Sequence, residues 1–274
     1  MQPASEVITS HDGLLLATEV TGDRPDLLLV HANGFCKETW HPLLEELDGA
    51  RAVVLDQRGH GDSGTPEHPF DWWDLGRDVL TVLESVETGS DLIGVGHSSG
   101  GAALVMAEIL APGTFDRLIL AEPIIPPPPF ERSEDHPLAL MTEKRRASFG
   151  SPLGAFESYR DRPPFSSWDV RVLRAFVDHG FEWRDGRWAL KCSPATEAEF
   201  YRTASLHGAW ARLDEVGCPV ELTFGSDGNA SGTANAELLV DRFPAGDLTI
   251  LDGIGHLIPM EAPDLLAAVV APAD

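Results

Sequence analysis

A serine lies between glycines in a pattern that is typical of nucleophilic catalysis. In Gly96-His97-Ser98-Ser99-Gly100, glycine stands two residues before and two residues after Ser98, between an apolar run and a helix-forming stretch. A strand-to-helix turn this tight brings the flanking positions together, where Cβ atoms would collide. The pattern therefore predicts that Ser98 projects from the carboxyl end of a strand, within reach of a substrate.

An acid and a histidine follow two later apolar runs. Residues 219–224 and 248–251 predict strands; Asp227 comes shortly after the first and His256 shortly after the second. In a parallel sheet the carboxyl ends of all strands face one side, where open α/β folds bind ligands. We therefore expect Ser98, Asp227 and His256 to converge there, in the chain order serine, acid, histidine.

The elements that must position these residues alternate regularly. Further strands are predicted by the apolar runs at 27–30, 52–55, 91–95 and 117–121, after an opening hairpin within 7–20. Helical patterns lie between them, with 73–86 the longest. This alternation implies right-handed crossovers and a doubly wound, mostly parallel sheet, which is an α/β fold.

The pattern breaks after the sixth predicted strand. Four consecutive prolines at 126–129 favour an extended linker, and no aliphatic strand run follows until 219. We therefore expect a core at 1–125, an inserted helical cap at 126–213 and a second core segment at 214–274. Most aromatic residues of the cap are expected in its own core. The triplet Lys144-Arg145-Arg146 is interpreted as a solvated helix face, because no stacking aromatic residues are interleaved with it.

The serine motif and the order of the three residues resemble the α/β-hydrolase family over nearly the whole chain, the cap excepted. The resemblance implies that Ser98 is the nucleophile, that His256 is its general base and that Asp227 orients the imidazole. It also implies that the backbone N–H groups of Ser99 and Asn33 hold the oxyanion. At position 32 alanine stands where the family usually has glycine.

An alternative acid is Glu122, which also ends a strand, because some members of this fold place the acid there. The resemblance implies a serine hydrolase that cleaves a carboxylic ester or related acyl bond through an acyl-enzyme. Lactonase, carbon–carbon hydrolase, perhydrolase and acyltransferase activities share the same triad and stay open. A low-turnover binding protein on the same scaffold is the alternative outside enzyme function.

Composition restricts the partners. With 44 acidic and 20 basic residues the formal net charge is −24, which disfavours nucleic acid and anionic membrane surfaces and suggests neutral or cationic substrates. A small-molecule acyl substrate is the expected partner.

Neither a metal nor another cofactor is expected. The ten histidines show no metal-ligand spacing, so His60, His68 and His97 are expected at the surface or behind the site rather than as metal ligands. Three cysteines, an odd number, do not suggest a disulfide framework. The first residues show no signal-peptide pattern, so a cytoplasmic enzyme is expected.

Overall fold

The computed structural model describes residues 4–67, 70–227 and 230–271, so His68 lies outside the described residues. The strands in these ranges are β1 (Ala4–Thr9), β2 (Leu15–Thr21), β3 (Leu27–Val30), β4 (Ala52–Leu55), β5 (Ile93–His97), β6 (Arg117–Ala121), β7 (Ser148–Phe149), β8 (Phe181–Arg184), β9 (Arg187–Leu190), β10 (Val220–Gly225) and β11 (Gly246–Leu251).

The α-helices of the same ranges begin and end as follows: α1 (His41–Glu46), α2 (Trp73–Ser85), α3 (Ser99–Leu110), α4 (Pro137–Thr142), α5 (Pro152–Tyr159), α6 (Val170–His179), α7 (Pro194–Thr203), α8 (Ala230–Val240), α9 (Ile258–Glu261) and α10 (Pro263–Val270). None of these helices combines the length and the apolar character that crossing a membrane requires.

The central sheet has eight strands in the order β1-β2-β4-β3-β5-β6-β10-β11. The first hairpin is antiparallel, β2 pairs antiparallel with β4, and the pairs from β4 through β11 are parallel. The predicted α/β fold with a mostly parallel, doubly wound sheet is thus confirmed. The parallel strands place the ends of β5, β6, β10 and β11 on one edge of the sheet.

Two apolar layers enclose the sheet because successive strand residues point to opposite faces. Leu28 packs in a cluster with residues of α2 and α3, whereas Leu29 packs in a second cluster with residues of α1 and α10. Helix α3 is buried from Ser99 to Ile109, since it lies between the sheet and α2. A helix held this firmly gives the serine turn at its N-terminus a rigid base.

The segment inserted between β6 and β10 is not wholly helical, which corrects the expectation of a helical cap. Alongside α4–α7 it contains a three-stranded antiparallel sheet in the order β7-β9-β8. Strands β8 and β9 are joined by Asp185 and Gly186, with φ of 52° and 77°. Positive φ at both positions is the geometry of a tight hairpin turn, for which Asp-Gly is a preferred sequence.

Candidate active site

Ser98 sits on a strained turn between β5 and α3, with φ 54° and ψ −114°. The glycines of the motif permit this close passage of backbone. A Cβ on Gly96 would lie 2.7 Å from the backbone of Gly101, and one on Gly100 would lie 2.1 Å from the carbonyl oxygen of Val30. The turn therefore requires glycine at both positions, and it lifts Ser98 out at the end of β5.

Backbone hydrogen bonds fix this turn to the end of the neighbouring strand. The Ser98 N–H donates to the carbonyl oxygen of Ala121 at 3.0 Å, and the Ile124 N–H donates to the carbonyl oxygen of Ser98 at 3.0 Å. These two partners flank Glu122, which itself has a positive φ of 43°. Ser98 and Glu122 are thus held in a fixed relation by the main chain.

His256 pairs with Glu122. Its Nδ1 lies 2.6 Å from Glu122 Oε2, and the other carboxylate oxygen, Oε1, accepts from the Gly225 N–H at 3.0 Å. Glu122 is 7% exposed. With Nδ1–H donating to the carboxylate, the imidazole keeps an unprotonated Nε2, which is the arrangement a general base needs.

The predicted pairing of His256 with Asp227 is therefore wrong, and the alternative Glu122 occupies that position. Asp227 is exposed beyond the end of β10, where its N–H donates to Ile254 and its Oδ1 lies 3.3 Å from Ser226 Oγ. The acid comes from β6 because β6 is the direct neighbour of β5 in the sheet. The sequence signal that could have identified this acid is that Glu122 stands directly at the end of that strand.

The loop that carries His256 is supported on two sides. His97 Nε2 donates to the carbonyl oxygen of His256 at 3.0 Å, and Glu261 Oε2 accepts from the Gly255 N–H at 3.2 Å. Burial holds the pKa of His97 well below its usual value, so its ring is neutral. Of the two positions expected for His97, the one behind the site agrees with these contacts, and the surface position does not.

The predicted oxyanion donors lie beside the nucleophile. Ser99 is the first residue of α3 and Asn33 belongs to the loop after β3; both line the same cavity as Ser98. Neither the Ser99 N–H nor the Asn33 N–H donates a hydrogen bond to a described residue. The Asn33 side chain is anchored elsewhere, because its Nδ2 donates to the Glu197 carbonyl at 3.0 Å and its Oδ1 lies 3.1 Å from His60 Nε2.

The loop after β3 rests on a buried polar network. His31 Nδ1 donates to the Ala32 carbonyl at 2.7 Å, and His31 Nε2 accepts from the Gln57 N–H at 3.2 Å. Burial opposes ionisation of Asp56, but the nearby His31 and the charge of Lys37 outweigh it and lower the pKa of Asp56 to about 2. An ionised Asp56 thereby fixes the loop.

Ion pairs hold the turn after β4. Arg58 donates to both carboxylate oxygens of Asp78 at 2.7 Å, and Asp62 accepts from Lys37 Nζ at 3.0 Å and pairs with Lys191. A two-point contact between guanidinium and carboxylate is strong and directional, so this turn is a rigid support for the site.

A cavity of about 1050 Å³ covers Ser98 and His256. Its walls are apolar and aromatic, with Trp72, Ile125, Tyr159, Phe165, Phe200 and Trp210 among the lining residues. Ser98 Oγ makes no hydrogen bond to the described residues, and it faces the same cavity as His256. A pocket of this size accommodates a substrate much larger than an acetyl ester.

Two members of the basic triplet also line this cavity, which corrects their interpretation as a solvated helix face. Helix α4 ends at Thr142, and the chain that follows brings Arg145 and Arg146 to the cavity wall. Arg145 pairs with the buried carboxylate of Glu197. Sequence reasoning missed both, because the fold of the cap carried no motif.

One cluster of side chains away from Ser98 has the spacing of metal ligands, but a protein cation already lies beside it. His11, Asp12 and Asp74 place ligand atoms within 4.8 Å of one another. Arg58 lies 2.9 Å from Asp12 and 3.5 Å from Asp74, so a guanidinium already compensates these carboxylates. The three cysteines, Cys36, Cys192 and Cys218, are free and buried.

Comparison with known proteins places these features in context. A family model described as the alpha/beta hydrolase family matches residues 27–269. The putative 2-succinyl-6-hydroxy-2,4-cyclohexadiene-1-carboxylate synthase of Bacillus subtilis (strain 168) is 24% identical over 271 residues, covering 96% of each chain.

The peroxisomal membrane protein LPX1 of Saccharomyces cerevisiae is 32% identical over 124 residues, which is 38% of this chain and 32% of that protein. The solved structure of Lpx1 superposes with a TM-score of 0.81 at 20% identity, covering 98% of this chain and 85% of that one. An esterase of M. tuberculosis superposes with a TM-score of 0.73 at 21% identity, covering 98% and 91%. At these identities the structural matches show the shared fold.

Proposed function

Because the chain belongs to the α/β-hydrolase family, we propose that it is a serine hydrolase that cleaves a carboxylic ester or related acyl bond through an acyl-enzyme. Membership of this family supports an enzyme of the hydrolase type. The observation that carries the proposal is the 2.6 Å contact of His256 Nδ1 with Glu122 Oε2, at a cavity that also contains Ser98.

In the first half of the proposed reaction, His256 Nε2 takes the proton of Ser98 as Oγ attacks the acyl carbonyl carbon. The carbonyl oxygen becomes an oxyanion, which the N–H groups of Ser99 and Asn33 hold. The imidazolium formed is stabilised by the Glu122 carboxylate. Collapse of the tetrahedral species breaks the bond to the leaving group, which receives the proton from His256.

The second half repeats these steps with water. His256 takes a proton from a water molecule as its oxygen attacks the acyl carbon, and collapse breaks the bond to Ser98 Oγ. The serine regains its proton from His256, and the carboxylic acid is released. This cycle uses only groups of the chain and water, so it requires no cofactor.

The proposal is tested by hydrolysis of a series of p-nitrophenyl esters of increasing acyl length. Ser98→Ala is expected to lose on the order of a million-fold in kcat, because the triad acts as a unit. Ser158→Ala is the matched control, since Ser158 lies in the same cavity and takes no part in the proposed reaction. Near-normal hydrolysis by Ser98→Ala would refute the assignment.

A further inference from the structure

The cavity over Ser98 is lined by as many basic as acidic side chains, but these differ in their partners. Arg145, Arg146 and Arg162 line it together with the carboxylates of Glu122, Glu197 and Glu261. Each of the three carboxylates has a partner within the protein. Glu122 pairs with His256, Glu197 with Arg145, and Glu261 accepts from the Gly255 N–H.

Arg146 and Arg162 have no such partner, since neither forms an ion pair with a described residue. Arg146 donates through Nε to the Ser148 carbonyl at 3.0 Å. Acidic residues outnumber basic ones by 44 to 20, and most of the other arginines face a carboxylate. Arg146 and Arg162 are thus two guanidinium groups at one cavity that have no ion-pair partner among the described residues.

An aromatic ring holds Arg146 in place, and the backbone of Arg162 is fixed in a neighbouring turn. The guanidinium carbon of Arg146 lies 4.2 Å from the centroid of the Phe149 ring, and the rings of Phe149 and Tyr159 are 5.4 Å apart. Arg162 follows from Tyr159 in a turn in which its N–H donates to the Tyr159 carbonyl at 2.9 Å. Stacking on an aromatic face fixes a guanidinium while leaving its outer N–H groups free to donate.

Charges of both signs act on Tyr159 in the cavity wall. Burial raises the pKa of its hydroxyl, Glu197 also raises it, and the charges of Arg145 and Arg146 lower it. Arg146 therefore lies close enough to interact with a group of the cavity wall, and an anionic oxygen placed beside it would gain that interaction with a favourable sign.

We propose that Arg146 and Arg162 form an anion subsite that selects acyl substrates carrying a carboxylate or a similar anionic oxygen group. The proposal rests on the proposed hydrolase function and adds the substrate class. It reverses the expectation from net charge, because an anionic group bound at this subsite meets the two unpaired guanidinium groups rather than the total of −24. The anion is carried by either the acyl part or the leaving group.

The test uses two matched pairs of esters. The mono(p-nitrophenyl) ester of adipic acid, compared with its methyl ester, places the anion on the acyl part. The butanoyl ester of p-hydroxybenzoic acid, compared with its methyl ester, places it on the leaving group. The wild type is expected to favour the anionic member of at least one pair by roughly tenfold in kcat/KM, mainly through KM. The pair that discriminates identifies which part carries the anion.

Arg146→Gln and Arg162→Gln are each expected to reduce this preference roughly three- to tenfold, and the double variant to abolish it. Arg174→Gln is the matched control for the first, because Arg174 also lies 4.2 Å over a phenylalanine ring, that of Phe156, but does not line the cavity. Arg187→Gln, an exposed residue of β9, is the control for the second. Added salt is expected to weaken the preference.

Equal turnover within both pairs, or an equal effect of Arg146→Gln and Arg174→Gln on the preference, would overturn the subsite. Ligand binding measured with the Ser98→Ala variant does not depend on turnover. It therefore separates failure of the subsite from failure of the hydrolase assignment. Calorimetry with monomethyl adipate and dimethyl adipate is expected to show roughly tenfold tighter binding of the anion, reduced by Arg162→Gln. If no ester is turned over, this binding still decides the subsite: a preference for the anion supports it, and equal binding refutes it.

Discussion

Glu122 Oε2 and His256 Nδ1 lie 2.6 Å apart, and Glu122 Oε1 is fixed by the Gly225 N–H at 3.0 Å. The carboxylate thus bridges the loop after β11 and the end of β10 from its position at the end of β6. Because backbone hydrogen bonds on either side of Glu122 also hold the Ser98 turn, this one residue locates base and nucleophile together.

Replacing this acid is expected to impair catalysis severely. Glu122→Gln keeps the shape but removes the charge that stabilises the imidazolium, and it leaves one acceptor oxygen for both the Gly225 N–H and His256 Nδ1. The value of kcat should therefore fall by about ten-thousand-fold, as for other triad acids. Asp227→Asn is the control, since Asp227 is exposed and has no contact with His256. Ester hydrolysis measured for both variants decides between the two acids: a larger loss in Asp227→Asn would restore the sequence-based assignment.

Gly100→Ala is expected to disrupt the serine turn. The added Cβ would lie 2.1 Å from the Val30 carbonyl oxygen and 2.6 Å from that of His31, and both are backbone atoms of the sheet that cannot move aside. The free energy of unfolding should fall by about 3 kcal/mol or more, the upper end for overpacking. Urea unfolding checks this.

Gly150→Ala is the control for that substitution, because a Cβ there meets nothing within 4 Å. Its effect on stability is expected to stay within about 0.5 kcal/mol. Unchanged stability of Gly100→Ala would contradict the close approach of Gly100 to the Val30 carbonyl oxygen.

Stability is expected to fall as the solution is acidified through the range in which free histidine titrates. Burial lowers the pKa of His60 to about 3 and that of His207 to about 4, from 6.5. Below pH 6.5 the unfolded chain therefore binds more protons than the folded one, and the free energy of unfolding rises with pH. Each histidine should contribute about 2 kcal/mol between about pH 8 and about pH 5.

The contribution of Asp56 is separable from this effect, because its pKa of about 2 lies below the usual 3.8 and its stabilisation is lost only at more acid pH. His207→Gln keeps a donor for the Ile124 carbonyl, to which His207 Nε2 donates at 3.0 Å, and should flatten the pH profile. Urea unfolding at a series of pH values measures both. A profile that is flat, or that rises with acid, would contradict the burial of neutral imidazoles.

The sequence was sufficient for the core because its signals are local. The unbroken aliphatic run at 27–30 predicts a strand buried on both faces, and the glycines around Ser98 predict a turn that only glycine permits. Both predictions agree with β3 and with the turn between β5 and α3.

The choice of the acid and the fold of the cap depend on contacts between residues far apart in the sequence, which local patterns do not predict. Choosing Glu122 over Asp227 required the knowledge that β6 lies beside β5 and that Gly225 holds the carboxylate. The hairpin at Asp185 and Gly186 had a recognisable turn sequence, but it lies in a segment whose polar and aromatic composition favoured a helical interpretation. The cavity position of Arg146 follows only from the three-dimensional path after α4.

Labelling with a fluorophosphonate, followed by mass spectrometry of the proteolytic peptides, tests the activated serine most directly. We expect one adduct for each chain, located on Ser98, with labelling greatly slowed in Glu122→Gln and absent in Ser98→Ala, because only a serine paired with a working base reacts rapidly. Absence of an adduct on Ser98 in the wild type, or labelling of Glu122→Gln at the wild-type rate, would contradict the account.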